Sequence, residues 1–227
     1  MVKLSNDGRI YHAMLLYMDV SLDDPEEFVR SVRSVAEGLH RRTMVQMVDA
    51  HSIAGVEHLL EILTQSLEAE RRSCMLARMV EVDMMLRLAC TRQISEAIER
   101  VGLKSGSRRA ALVAVVYDDD DGGGSGYGRG GLDDAVDVGG NVDRDGGRKS
   151  GEREMDHQSI LLILRDRLKE VDGVIRVLDG DDGVNTGDDL YERIAHIHGL
   201  SEQELDSCIS SNRLVSILAE RANILHR

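Results

Sequence analysis

Four consecutive aspartates, Asp118-Asp119-Asp120-Asp121, run into Gly122-Gly123-Gly124-Ser125-Gly126 near the middle of the chain. From there to about residue 157 large apolar residues are scarce, like charges repel, and twelve of the 22 glycines are concentrated. Ordering a backbone costs roughly 1–2 kcal/mol per residue. This stretch has too little apolar surface to offset that cost. The sequence therefore predicts a disordered acidic Gly-rich insertion over 118–157. It interrupts a single domain whose two parts are 1–117 and 158–227. Mild proteolysis is expected to cut the insertion first. Deleting residues 119 to 154 is expected to leave soluble, folded protein, and loss of soluble protein would contradict this reading.

The flanking parts have globular texture. Hydrophobic residues make up 42% of the chain but aromatics only 3%, with one Phe and no Trp, so Leu, Ile, Val and Met must fill the core. Lys+Arg is 28 against Asp+Glu 41, a formal charge of -13. That excludes a uniformly basic nucleic-acid glove and leaves room for a local basic patch. No run of about 18 apolar residues exists, so no membrane span is expected. Met1 to His12 is polar and lacks the apolar stretch of a leader. Cys74, Cys90 and Cys208 form no C-x-x-C pair. Reduced thiols in a cytoplasmic protein are expected, with no disulfide framework or structural zinc.

The first part alternates strand and helix. Arg9 to Val20 and Thr43 to Ala50 read as strands, and Arg109 to Tyr117, apolar almost throughout, as an interior one. Asp24-Pro25-Glu26-Glu27 starts a helix: Asp24 caps it, and Pro25 suits its first position. Phe28, Val32, Val35 and Leu39 form its buried stripe. Further helices are expected over about 53–69, 76–89 and 91–102. The last is capped by Thr91, with Ile94, Ala97, Ile98 and Val101 facing inward. After the insertion, helices are expected over 159–171, 188–198, 201–209 and 212–225, with a short edge strand over 174–178. The fold class is α/β, a small central sheet packed with several helices. The helix joining the first two strands allows a parallel crossover.

Motifs are sparse. Gly126-Tyr127-Gly128-Arg129-Gly130-Gly131 satisfies G-x-G-x-x-G. Four aspartates lie between it and the preceding strand, and no good helix follows, so composition accounts for the match. The acidic turn from Asp179 to Asn185 lacks the Gly and Glu of a calcium loop. No H-E-x-x-H and no G-x-S-x-G occurs. No catalytic constellation, cofactor site or metal site is found, and none is expected. Between Arg71 and Arg109 nine basic residues face four acids, a local excess of five inside an acidic chain. Arg71, Arg72, Arg92, Arg108 and Arg109 are the candidates for a phosphate-facing patch.

The run Thr91-Arg92-Gln93-Ile94-Ser95-Glu96-Ala97-Ile98-Glu99-Arg100-Val101-Gly102 follows an apolar helix. It resembles the T-R-Q-I-x-E-A-I-x-x-V-G hallmark of the small kinase-binding subunit family of the KEOPS (EKC) complex, the TPRKB-like PRPK-binding proteins. Ala54-Gly55-Val56-Glu57-His58-Leu59 and the final apolar helix are also similar to that family. The resemblance covers roughly residues 9 to 117 and, more loosely, the last forty. Two departures stand out: Cys90 occupies a position where the family generally has Gly, and the acidic insertion is not a family feature.

The resemblance implies a non-enzymatic accessory subunit. It would bind a PRPK-type kinase/ATPase and, through that, contact the other KEOPS subunits indirectly. It would also help recruit tRNA by its 3′ end for threonylcarbamoyladenosine modification beside the anticodon. The arginines above would meet tRNA. Leu214, Leu218 and Leu225 on the last helix would meet the kinase, unless they are ordinary core. No membrane partner is implied, and the family context suits an archaeal source. The competing readings are a free-standing RNA-binding or protein-interaction module, and an enzyme whose site is assembled from scattered residues.

Overall fold

The computed structural model describes residues 1–6, 9–117, 156–178, 190–206 and 211–225. The acidic insertion, the G-x-G-x-x-G match, the Asp179–Asn185 turn and Cys208 all lie outside the described residues. Along the chain come β1 (Val2–Asn6), β2 (Arg9–Val20), α1 (Pro25–Leu39), β3 (Thr43–Asp49), a 3-10 turn (Ala50–Ser52), α2 (Val56–Arg71), α3 (Val80–Leu88), α4 (Ile94–Val101) and β4 (Arg109–Val116). Beyond the insertion follow α5 (His157–Leu168), β5 (Val174–Leu178), α6 (Leu190–His198), α7 (Glu202–Asp206) and α8 (Ser211–Ile224).

The sheet is antiparallel between all neighbours. β4 lies between β2 and β3, while β1 and β5 share the other edge of β2. β2 and β3 therefore run parallel, as a helical crossover allows, but β4 separates them instead of the two pairing. The interior strand expected at 109–117 is this central β4, buried from Ala110 onward. β1 was not legible as a strand, because VKLSN is short and mostly polar. It pairs Asn6 with Arg9 and Val2 with Ala13.

Both faces of the sheet are covered, so β4 is apolar at successive positions and not only at alternate ones. On one face Tyr11, Ala13, Tyr17, Val113 and Val115 pack against α2, α3 and α4. On the other, Met14, Met18, Leu112 and Ala114 pack against α1 and α5. A third cluster joins Ala54 to Leu190 and Ile194 of α6 and to Leu214 and Leu218 of α8. α1 starts as expected: Pro25 is its first residue, and the Asp24 carboxylate accepts the Glu26 and Glu27 N–H groups at 2.9 and 3.0 Å.

α3 is shorter than its apolar periodicity suggests, beginning at Val80 and not near Leu76. A buried carboxylate of α3 bonds both within the helix and back to the segment before it. The Arg87 Nε–H donates to Asp83 Oδ2 at 2.6 Å, with both side chains almost fully buried. Asp83 Oδ1 accepts the Leu76 N–H, also at 2.6 Å. One carboxylate thus holds the segment before α3 in an irregular path and prevents it from continuing the helix.

Candidate partner-docking site on the fourth helix

α4 carries the hallmark run, and its burial departs from expectation. Ala97 and Val101 are fully buried against α3 and the sheet face. Ile94 and Ile98, expected to face inward with them, are 51% and 52% exposed. An eight-residue helix on the rim of the core has room to bury one narrow stripe. Ile94 and Ile98, four apart, form a neighbouring stripe of their own that faces solvent. Periodicity places all four on one broad flank; it does not say which edge of that flank the core covers.

Local chemistry fixes the start and end of α4. Thr91 lies two residues before the helix N-cap, Gln93, and not at the cap itself. Its buried hydroxyl accepts the Gln93 N–H at 3.2 Å and donates to Glu96 Oε2 at 2.7 Å. Arg100 donates to the Ala89 carbonyl at 3.0 Å and lies 3.5 Å from Glu96. Gly102 closes the helix, and a Cβ there would sit 2.5 Å from the Ile98 carbonyl oxygen. Glycine is required at that position by close approach of backbone to backbone.

Cys90 stands between α3 and α4 with φ 50, in the left-handed region that favours glycine. The left-handed turn between the two helices is therefore made here by a residue that carries a side chain. Burial pushes the Cys90 thiol up to about 11 despite Arg221 and Arg100 nearby, so it stays protonated at neutral pH and is no nucleophile. Cys90→Gly is expected to be as stable as the native chain, or more stable by up to about 1 kcal/mol. Cys90→Val, β-branched at positive φ, is expected to be less stable. Urea unfolding of the two variants checks both.

The end of α8 borders this helix. The Arg92 guanidinium donates to the Leu225 carbonyl, and Ile224 is 58% exposed. Cys90 Sγ lies 3.8 Å from the Leu218 carbonyl. The α3–α4 corner and α8 thus present Ile94, Ile98 and Ile224 on neighbouring elements beside the Arg92 charge. Apolar side chains in such an arrangement suit the burial that a protein partner provides.

The leucines expected to meet a kinase occupy different places. Leu214 and Leu218 are fully buried in the third apolar cluster and are core in this structure. Leu225, just past the end of α8, is half-buried. Leu218→Glu would place a carboxylate in that cluster, so it tests packing of the C-terminal helices and not docking.

The five arginines do not converge. Arg71 and Arg72, at the end of α2, both bind Glu68. Arg92 heads α4. Arg108 is exposed, and Arg109 donates to Asp19 Oδ1 at 2.8 Å, with Arg176 on the other oxygen of the same carboxylate. Tyr117, just past β4, donates to Glu70 of α2 at 3.3 Å. Arg109 begins β4 eight residues earlier, which at about 3.3 Å per residue is about 26 Å away. The Arg71–Arg72 and Arg108–Arg109 pairs therefore lie at opposite ends of the sheet.

Other perturbed groups are explained by structure. Glu204 is pushed down to about 2, first by the Ser201 N–H, then by the Ser201 hydroxyl and the Arg221 guanidinium. Burial pushes His58 down to about 3 and His198 to about 4. His12, His40 and His157 gather with ring centroids 5.6 and 6.0 Å apart. Among the described residues no three His, Cys, Asp or Glu side chains are placed to hold a metal ion. No helix among them is long and apolar enough to cross a membrane.

No curated protein matches the chain. Residues 27–128 match the family described as kinase binding protein CGI-121. The match runs from the third residue of α1 through β4 and includes the whole hallmark run with its exposed isoleucines. Over residues 27–128, a little under half of its length, this chain is similar to the family of the kinase binding protein CGI-121.

Proposed function

We propose that this chain is a non-catalytic accessory subunit that docks on a PRPK-type kinase/ATPase through α4 and the end of α8. In this reading it works within a KEOPS assembly in the cytoplasm. It helps bring tRNA, held near its 3′ end, to the subunit that forms threonylcarbamoyladenosine. The observation that carries the reading is the exposure of Ile94 and Ile98 on a hallmark helix inside the family match. A helix that leaves two isoleucines in water gains from a partner that covers them, roughly 1.5–3 kcal/mol for each one buried.

The tRNA part rests on the arginine excess. Arg72 and Arg92 are exposed on the helical layer that carries the docking patch. Neutralising a phosphate releases counterions, so binding should weaken steeply as salt rises. Affinity capture from the native host should recover a small kinase and a threonylcarbamoyl transferase. A tRNA gel shift across salt concentrations should show a shallower salt slope for Arg72→Glu/Arg92→Glu, by about 0.7–0.9 for each phosphate no longer neutralised. Capture of neither enzyme would remove the KEOPS reading. An unchanged slope and affinity at moderate salt would remove these arginines from the tRNA interface.

A further inference from the structure

Two histidines, one on α2 and one on α6, meet in the interior. His58 and His198 are 0% and 2% exposed, with ring centroids 5.9 Å apart. Their other contacts fix their tautomers. His58 Nδ1 accepts the Ala54 N–H at 3.3 Å, so the His58 proton sits on Nε2. His198 Nε2 lies 2.8 Å from the Ser52 carbonyl, which can only accept, so the His198 proton sits on Nε2 and leaves Nδ1 a bare acceptor. The two ring atoms left over, His58 Nε2 and His198 Nδ1, are both buried without a hydrogen-bond partner. One is a donor and the other an acceptor. With the centroids 5.9 Å apart a direct hydrogen bond is out of reach, but one bridging water joins them.

We propose that His58 and His198 form a neutral, water-bridged donor–acceptor latch that fastens α6, and with it α8, onto α2 and the Ala50–Ser52 turn, and that protonation of either ring opens it. A proton on His198 Nδ1 replaces the acceptor with a second donor facing the His58 N–H. A proton on His58 Nδ1 faces the Ala54 N–H it now accepts. The charged groups that act on His198 are cations, Arg100 of α4 and Arg221 of α8. Each is bonded to a carboxylate, Glu96 and Glu204 respectively. His58 is acted on by His198 itself. Arg221 also donates to the His198 and Gly199 carbonyls at 2.8 and 3.2 Å, which ties α8 to the end of α6. The two helices should therefore open together. The latch stands whatever docks on α4; its consequence for docking, through Ile224 at the end of α8, rests on the proposed function.

The sign follows from the two rings. Both are neutral when latched, with values near 3 and 4, and both return to about 6.5 when solvent reaches them. The latch is fully closed above pH 6.5 and loosens as pH falls from there towards 4. At pH 5 each released histidine favours the open form about thirtyfold, about a thousandfold for the pair.

Amide hydrogen exchange of the full chain between pH 7.5 and 5, corrected for intrinsic exchange, tests this. The opening constant of α6 and α8 amides should rise by about a thousandfold while β4 amides stay protected. His198→Gln keeps an N–H for the Ser52 carbonyl but takes up no proton, and should reduce the rise to about thirtyfold. If that variant does not fold, the native chain decides alone. No rise in α6 and α8, an equal rise in β4, or an undiminished rise in a folded His198→Gln variant would overturn the latch.

Discussion

Asp83→Ala is expected to destabilise the protein by about 3–5 kcal/mol, more than any other single change considered. The substitution takes the Asp83 carboxylate away from the Arg87 guanidinium, a residue 1% exposed. It also removes the acceptor of the Leu76 N–H, the hydrogen bond that shapes the segment before α3. For a chain of this length such a loss lowers Tm by about 6–20 °C. Asp83→Leu combined with Arg87→Met should recover much of the loss, because removing both charges removes the cost of burying one alone. Thermal unfolding of the two variants separates a coupled ion pair from two independent packing defects. If the double variant is no more stable than Asp83→Ala, the pair is not the determinant argued here.

Ile94→Glu/Ile98→Glu is expected to abolish the proposed kinase binding in practice, weakening it at least a hundredfold while leaving the fold intact. Two isoleucines each giving roughly 1.5–3 kcal/mol on burial amount to that factor or more, at about 1.4 kcal/mol per tenfold. Both side chains are already half in water, so glutamate there removes little from the core. Leu218→Glu makes the informative contrast: it should lose α8 packing by circular dichroism before any question of binding arises. A double variant that unfolds would show that Ile94 and Ile98 are core. One that folds and still binds would move the docking surface off α4.

Much of the architecture was legible in the residues, for identifiable reasons. β4 was readable because a strand buried on both faces is apolar at nearly every position. α1 was readable because Asp24 and Pro25 mark its start chemically. Sheet order was not, since nothing in β2 or β3 says that β4 enters between them. The start of α3 was missed because its apolar periodicity extends back to Met75, while the hydrogen bond that ends it, Asp83 to the Leu76 backbone, spans seven residues and leaves no periodic trace.

The candidate site divides the same way. The hallmark run marked the right helix, but which of its isoleucines are covered depends on how α4 sits against α3. By sequence Leu214 and Leu218 suit docking as well as packing; the structure surrounds them with Ala54, Leu190 and Ile194. Arg109 looked unpartnered because Asp19 is 90 residues away in sequence.

The most direct test is a hydrogen-exchange footprint of the chain alone and in the presence of the proposed PRPK-type kinase. Protection should increase over 94–101 and around 222–225, with α1 and α5 on the opposite face of the sheet unchanged. Protection confined to α1 and α5, or no complex at micromolar concentrations, would contradict docking through the fourth helix.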